Sequence, residues 1–165
     1  MALTVETGAI VAGAESYISV SDANTYHNLR RNIDWLDMND AEKESALRKA
    51  TDYMIQRYST SWKGGRVSSA QVLDWPRLGA TVYGFALDSD IVPDSVKYAC
   101  AELALKSYSE ALNPDKSQGV VREKVDVIEI EYDKSSPQNK RFAAIDSMLS
   151  PYLKYSGSSA MLLRA

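Results

Sequence analysis

Apolar residues recur every three or four positions in four stretches of the chain, and this spacing predicts four α-helices. The first stretch covers about residues 20–31. The second begins at a capping-box pair, Asn39 and Glu42, and is expected to end near Tyr58. Between the two, an apolar turn at residues 33–36 is expected to pin the first helix to the second.

The third stretch runs from Pro93 to about Leu112 and is apolar on most of its circumference, which predicts a central helix. Pro93 is expected in its first turn, where the missing N–H costs nothing. Cys100, on this helix, is expected to be a small buried hydrophobe. The fourth helix is expected to start at the Ser-Pro pair at 136–137 and to end or kink at Pro151.

The pattern changes to alternation between the third and fourth helices. Residues 120–133 are rich in β-formers, and Ile128, Ile130 and Tyr132 alternate with acidic residues. Two strands are expected. Because two strands alone are marginally stable in water, they need another sheet edge, a helix or another subunit.

These elements predict a mainly α fold, a small bundle of about four helices with a β-hairpin or strand pair and extended terminal arms. We expect an N-terminal arm over residues 1–16, a helical domain over residues 17–155 with strands near 120–133, and a flexible C-terminal tail over residues 156–165.

The C-terminal tail joins a Ser- and Gly-rich tether to an apolar tip, made of Met161, Leu162, Leu163 and Arg164. A flexible tether with an apolar tip is typical of a docking peptide. A frayed terminus has the same pattern, so both interpretations stay open.

A long connection over residues 61–92 carries few regular signals, and loops of this length usually carry function. In its first part, Trp62 lies close to Lys63 and Arg66. Aromatic rings interleaved with basic groups can stack bases and neutralise phosphates, so these three residues are candidate DNA contacts. We favour the alternative, in which the Trp rings pack the connection onto the helices and the basic groups stay solvated.

The second part of the connection contains Trp75, Pro76 and Arg77, which we expect to be structural. Trp75 should be buried near Met54 and Leu103. The aromatic residues of the connection, Trp62, Trp75 and Tyr83, are together expected to pin it to the body.

The composition of the chain argues against several classes of protein function. Nineteen Lys and Arg against 22 Asp and Glu give a net charge of −3, which argues against a protein built mainly to hold phosphate backbones. One Cys excludes an intrachain disulfide and a Cys-rich metal site, and one His excludes a His cluster within the chain. Ten Tyr and three Trp against two Phe are typical of an interface, or of a core that uses Tyr.

Signals for catalysis and for membranes are missing from the sequence. There is no phosphate-binding loop, dinucleotide fingerprint, nucleophile elbow or zinc-protease motif. His27 is expected to be a surface or structural residue. No run reaches the roughly 20 apolar residues of a membrane helix, and the first residues lack the basic segment of a secretory signal. We therefore expect no enzyme, no catalytic or metal-ligating residue, no cofactor and no membrane partner.

Several motifs follow one another in a recognisable order. They are Tyr17-Ile18-Ser19-Val20, Leu47-x-x-Ala50-Thr51-x-Tyr53, Trp62-x-Gly64, Leu73-x-Trp75-Pro76-Arg77, Val92-Pro93-x-x-Val96 and Arg122-Glu123-Lys124-Val125. This order resembles the head–tail connector (adaptor) proteins of tailed bacteriophages and prophages, whose sequences also carry the label of a DnaT-like single-stranded-DNA-binding family. The resemblance covers about residues 15–155 and leaves the N-terminal arm and the tail outside.

The resemblance implies a virion neck protein that is present in the host cytoplasm during assembly. Such adaptors form a homo-oligomeric ring, typically of twelve copies, under the portal protein. The ring extends the channel through which double-stranded DNA passes without specific binding, and it docks tail or head-completion proteins. In that setting we expect the tip at residues 161–164 to bind the portal. We also expect the strands near 120–133 to extend across the subunit boundary through Ile128, Ile130 and Tyr132. The alternative is a single-stranded-DNA-binding module of a replication complex, which the acidic charge opposes.

Overall fold

The computed structural model describes residues 2–114, 122–125, 128–131 and 142–154, and these residues form a mainly α fold, as predicted. The helices in these ranges are α1 (Val20–Leu29), α2 (Ile33–Leu36), α3 (Asp40–Tyr58), α4 (Asp94–Ser109) and α5 (Ala143–Leu149), with a 3₁₀ turn at Ser150–Tyr152. The antiparallel strand pairs are β1 (Gly65–Arg66) with β2 (Arg77–Leu78), β3 (Thr81–Val82) with β4 (Phe85–Ala86), and β5 (Arg122–Val125) with β6 (Ile128–Glu131).

The start and the end of α3 are confirmed. The Asn39 side chain accepts the Glu42 N–H at 3.0 Å, and the Glu42 carboxylate accepts the Asn39 N–H at 2.8 Å. This reciprocal capping satisfies two of the N–H groups that the first helical turn leaves without partners. The helix ends at Tyr58, as expected.

Helix α4 is the central helix, because α1, α3 and α5 all pack against it. Cys100 is fully buried on it, as predicted. Two boundary predictions are wrong. Pro93 is the N-cap residue in an extended conformation, one position before the first turn. The helix ends at Ser109, where Glu110 turns extended, although Leu112 beyond the helix is still buried.

The turn at residues 33–36 is the short helix α2, and it pins its neighbours through one residue. Trp35 is fully buried, and its indole N–H donates to the Asn24 side chain at 2.9 Å. Ile33 and Leu36 point outward, with 60% and 36% of their surface exposed. Of the three apolar residues in this turn, Trp35 therefore belongs to the core, and Ile33 and Leu36 belong to the surface.

The N-terminal segment lies against the body. Val5 and Ser16 form a parallel bridge, and Ser16 is fully buried. The Glu6 side chain is 1% exposed, and its carboxylate accepts three backbone N–H groups, at 2.8–3.1 Å. Those donors are Gly8, Ile10 and Val11. Hydrogen bonds to a buried carboxylate thus close this segment into an ordered loop.

The predicted strand pair is confirmed for the backbone, with Ile128 opposite Val125 and Ile130 opposite Glu123. Tyr132 lies outside the described residues. The last helix begins at Ala143, with Phe142 as its N-cap residue. The predicted start of this helix at the Ser-Pro pair is therefore wrong. The pair itself, at residues 136–137, lies outside the described residues. Among the described helices, none has the length and apolar character needed to cross a membrane.

Candidate functional site

The two Trp residues of the connection pack it onto the body. Trp62 and Trp75 are both fully buried, and their rings meet edge to face with centroids 5.6 Å apart. Trp62 also contacts Tyr58 at the end of α3, and Trp75 contacts Tyr152 in the 3₁₀ turn. Trp75 shares one buried core with Met54 and Leu103. Burial confirms that these rings hold the connection in place.

A buried carboxylate and a buried guanidinium organise the backbone around the two rings. Asp74, 2% exposed, accepts the Trp62 indole N–H at 3.3 Å and the Ser59 hydroxyl at 3.0 Å. Arg77, 6% exposed, donates to the backbone carbonyls of Lys63 at 2.7 Å, Asp74 at 3.0 Å and Gly64 at 2.9 Å. Burial lowers the pKa of the Arg77 guanidinium. The structural role predicted for Trp75-Pro76-Arg77 is consistent with this geometry.

The basic groups of the first motif are also held by the fold. The Lys63 ammonium donates to the Pro151 carbonyl at 2.8 Å. The Arg66 guanidinium donates to the carbonyls of Val72 and Leu73 and lies 3.8 Å from the Asp74 carboxylate. Because Trp62 has no exposed face, and because Lys63 donates to the 3₁₀ turn and Arg66 to the connection itself, this motif offers no stacking platform for a base. The DNA-contact hypothesis for these residues is not supported by their placement.

His27 is a structural residue, fully buried between α1 and α4. Its Nε2 lies 3.1 Å from the Ala101 carbonyl and its Nδ1 lies 2.8 Å from the Asn32 amide nitrogen. This assigns Nε2 as the donor and Nδ1 as the acceptor in a neutral ring. Burial lowers the pKa of the imidazole, so it stays neutral near pH 7.

The β3–β4 hairpin carries the first exposed apolar surface, which we call the hairpin knob: Tyr83 and Phe85, 82% and 77% exposed. Tyr83 and Gly84 form a two-residue loop in which both φ angles are positive, +52° and +86°. This is the geometry of a type I′ turn, which favours Asn or Gly over a bulky residue at the first position. The expectation that Tyr83 pins the connection to the body is wrong.

The second exposed surface lies where α1 meets α2. We call it the corner surface: Leu29, Ile33 and Leu36, with Leu29 80% exposed. Two exposed basic residues, Arg30 and Arg31, stand between Leu29 and Ile33. Ile33 and Leu36, three positions apart in α2, lie on one side of that helix, and Leu29 is the last residue of α1.

A groove of about 420 Å³, the corner groove, lies beside the corner surface. Tyr26 and Tyr98 stack in it with ring centroids 4.7 Å apart, and the Arg30 guanidinium lies 3.5 Å from the centre of the Tyr26 ring. Burial and the neighbouring Glu102 carboxylate, which accepts the Tyr26 hydroxyl proton at 3.0 Å, raise the pKa of Tyr26 to about 12. Leu29 and Lys97 also line the groove.

The hairpin knob and the corner groove have no clear signature in the sequence. Two-residue strands are too short to show alternation, although the Tyr-Gly pair between Val82 and Phe85 is a weak turn signal. The stacking of Tyr26 on Tyr98 joins residues 72 positions apart and has no local signature.

The remaining candidate residues divide into two groups. Pro93 caps α4 and is structural, whereas the predicted portal-binding tip at residues 161–164 lies outside the described residues. In the part of the chain that the structure describes, no cluster of His, Cys, Asp or Glu could hold a metal ion.

Comparison with known proteins places the whole chain in one family. Residues 1–165 match the family model described as "Putative DnaT-like ssDNA binding protein". The match includes the arm and the tail, which the resemblance to phage connectors left outside. The chain matches no curated protein and no solved structure. A match over the full length shows the family, and the chain belongs to the DnaT-like ssDNA binding protein family.

Proposed function

We propose that this protein is a structural component of a phage neck, which forms a ring under the portal and provides a docking surface for tail or head-completion proteins. One observation carries the proposal: the rings of the Trp residues Trp35, Trp62 and Trp75 are fully buried, whereas large apolar side chains stand exposed on the hairpin knob and at the corner surface. Clustered exposed apolar groups are typical of protein–protein interfaces.

The charge of the chain supports the same function. A ring subunit that lines a channel must let DNA pass, and tight binding to DNA requires a net basic surface that releases counterions. The chain has a net charge of −3, and the basic groups closest to Trp62 are bound to backbone carbonyls. These features support a channel wall on which DNA slides, and they oppose a dedicated DNA-binding surface.

The test is binding to a portal protein of a tailed phage. Purified chain and purified portal are mixed, and the assemblies are measured by mass photometry and imaged by electron microscopy. We expect a ring of this chain on one end of the portal ring. A chain that remains monomeric beside an intact portal ring, under all salt conditions, contradicts the proposal.

A second arm tests the proposed portal-binding tip at residues 161–164. Deletion of residues 156–165 should leave the melting temperature unchanged and abolish binding to the portal. The matched control replaces Ser156, Ser158 and Ser159 by Gly, which keeps the length of the tether and the apolar tip. Unchanged portal affinity after the deletion would assign portal binding to another surface.

Single-stranded DNA binding is the second candidate function. The family's description names it, and two exposed aromatic side chains on one hairpin, Tyr83 and Phe85, have the chemistry for base stacking. The only charged residues between positions 78 and 91 are Asp88 and Asp90, which repel phosphates. A salt-sensitive, sub-micromolar affinity for a single strand, lost in Tyr83→Ala Phe85→Ala and retained in Trp62→Phe, would favour this function.

A further inference from the structure

We propose that the apolar tip of this chain, residues 161–164, docks into a groove on the chain's own α3 and stays there until a portal displaces it. The proposal rests on the function proposed above, because it takes the portal-binding tip from that function. It adds an occupant for a groove of the described fold and a regulated state of the tip before assembly.

The groove, which we call the α3 groove, has a volume of about 650 Å³. One wall is α3, from Lys49 to Gln56, and the other is the segment over residues 107–113, at the end of α4 and beyond it. The α3 residues of the wall stand three or four positions apart, so they form one face of the helix. A volume of this size is in the range of pockets that bind organic groups, and it has room for the side chains of a short peptide.

The last described residues of the chain run toward this helix. Leu153 forms an antiparallel bridge with Trp62, and the Lys154 N–H donates to the Ser61 carbonyl at 2.7 Å. Because the pairing is antiparallel, the chain proceeds from the level of Trp62 to that of Ser61, which is toward the end of α3 at Tyr58. The tail therefore starts next to the helix that lines the groove.

The length of the tether fits the length of the groove. Along the axis of α3, Lys49 lies about 14 Å from Tyr58, at roughly 1.5 Å per residue. The six residues 155–160 span about 20 Å when fully extended. They are therefore long enough to bring the tip at residues 161–164 onto the groove of the same protomer, and no second copy is needed.

The groove offers exposed apolar surface to an apolar tip. Tyr108 is 56% exposed, and Ala111 is also exposed. Tyr53 and Leu112 line the groove as well, but they are already buried. A docked Met or Leu side chain thus gains by covering the ring of Tyr108 and the methyl group of Ala111, and residues 161–163 supply three such side chains in a row.

The charges of the groove favour a basic peptide over an acidic one. The groove contains two carboxylates, those of Asp52 and Glu110, and one ammonium, that of Lys49. Residues 155–165 include Arg164 and no acidic residue. Arg164 can therefore pair with a carboxylate of the groove, whereas an acidic peptide would meet an excess of negative charge.

Docking of the tip in its own groove competes with binding of the tip to the portal. A site that is free in only a fraction of the molecules binds with an affinity reduced by that fraction. Weakening the groove should therefore strengthen binding to the portal, although the groove lies outside the portal-binding tip. A groove that itself contacts the portal would give the opposite result.

Cysteine cross-linking tests the docking in the chain alone. The double variant Ala111→Cys Ala160→Cys places one thiol in the groove and one directly before the tip. Cys100 is fully buried and provides no background. The matched control also replaces the three apolar residues 161–163 by Ser, which keeps both thiols and the tether. We expect the intramolecular disulfide to form at least five times faster with the native tip.

Portal binding tests the displacement of the tip. The variant Tyr108→Ser Ala111→Lys removes apolar surface from the groove at two exposed positions. We expect it to bind the portal at least three times more tightly than the wild-type chain does. Tyr108→Phe is the matched control, because it keeps the ring, and it should bind like the wild type.

The outcomes separate this inference from the proposed function. Equal cross-linking rates with the native and the Ser-substituted tip overturn the docking. A tip-dependent disulfide between two chains, in a mixture of the two single-Cys variants, overturns docking within one chain and assigns the groove to a second copy. Unchanged or weaker portal binding by the groove variant overturns the displacement. A tip-dependent cross-link within one chain, with no portal binding by any variant, overturns the proposed function and leaves the docked tip in place.

Discussion

The indole N–H groups of Trp62 and Trp75 provide a matched test of how the connection is held. Both rings are fully buried and contact each other. The Trp62 N–H donates to Asp74, whereas the Trp75 N–H is buried with no hydrogen-bond partner. Replacement by Phe removes the same atoms at both positions. At Trp62 it breaks a hydrogen bond, whereas at Trp75 it removes a buried N–H donor that has no partner.

The expected magnitudes follow from this difference. Trp75→Ala leaves a large cavity and should lower the free energy of unfolding by about 3–5 kcal/mol. In Trp75→Phe the lost packing is partly offset, because a buried donor without a partner costs about 1–3 kcal/mol. Trp62→Phe has no such offset, and it removes one donor from the buried Asp74 carboxylate. Trp62→Phe should therefore be the more destabilising of the two Phe variants, by about 1–3 kcal/mol.

Urea unfolding, followed by circular dichroism, measures the difference. For a chain of this length, 1 kcal/mol corresponds to roughly 2–4 °C in melting temperature, so thermal scans should rank the variants in the same order. Both Phe variants keep the wild-type m-value if the native state stays compact. Equal losses of stability, or a larger loss in Trp75→Phe, would refute the argument from the unsatisfied N–H.

Three further predictions concern buried polar groups. Because burial lowers the pKa of folded His27 below its unfolded value, the unfolded chain binds the proton more readily, so stability is full above about pH 6.5 and falls as the pH drops toward the folded pKa. His27→Gln should flatten this part of a plot of unfolding free energy against pH, and an unchanged slope would contradict the assignment. Arg77→Lys cannot reproduce the three bonds to backbone carbonyls and should cost about 2–4 kcal/mol in urea unfolding, whereas a loss below 1 kcal/mol would mean that one bond suffices. Glu6→Gln places an amide donor against backbone N–H groups and should speed hydrogen exchange at residues 8–11, with no change in exchange within α3.

Local sequence determined the long helices of this protein. The capping box at Asn39 and Glu42 and the three-four spacing of apolar residues act within a few positions, and α3 has the predicted start and end. The nearly all-apolar circumference of α4 likewise predicted its central place, because such a helix must be covered on most sides. The β5–β6 pair follows from alternation over several residues.

Boundaries and short elements depended on the tertiary structure. Leu112 continues the apolar spacing of α4, but it lies beyond the end of the helix and its side chain is buried there. At this position the apolar spacing correctly indicated a buried side chain and wrongly indicated a helical conformation. The turn at 33–36 is a short helix whose one buried residue is Trp35, and the local sequence does not show which of its apolar residues enters the core. Pairs of two-residue strands carry no period in the sequence; β3 and β4 are joined by a two-residue turn, whereas β1 and β2 pair only because the connection folds back on itself.

The two candidate surfaces could be recognised only in the folded protein, because the sequence gives the type of each residue but not whether an apolar side chain is exposed to solvent. Tyr83 and Trp75 lie in the same connection and are both aromatic, yet one is 82% exposed and the other is fully buried. The difference arises from a turn with positive φ angles that projects Tyr83 away from the body. The groove lined by the stacked rings of Tyr26 and Tyr98 exists only because α1 packs on α4, and this long-range contact is a property of the packed core and not of either segment alone.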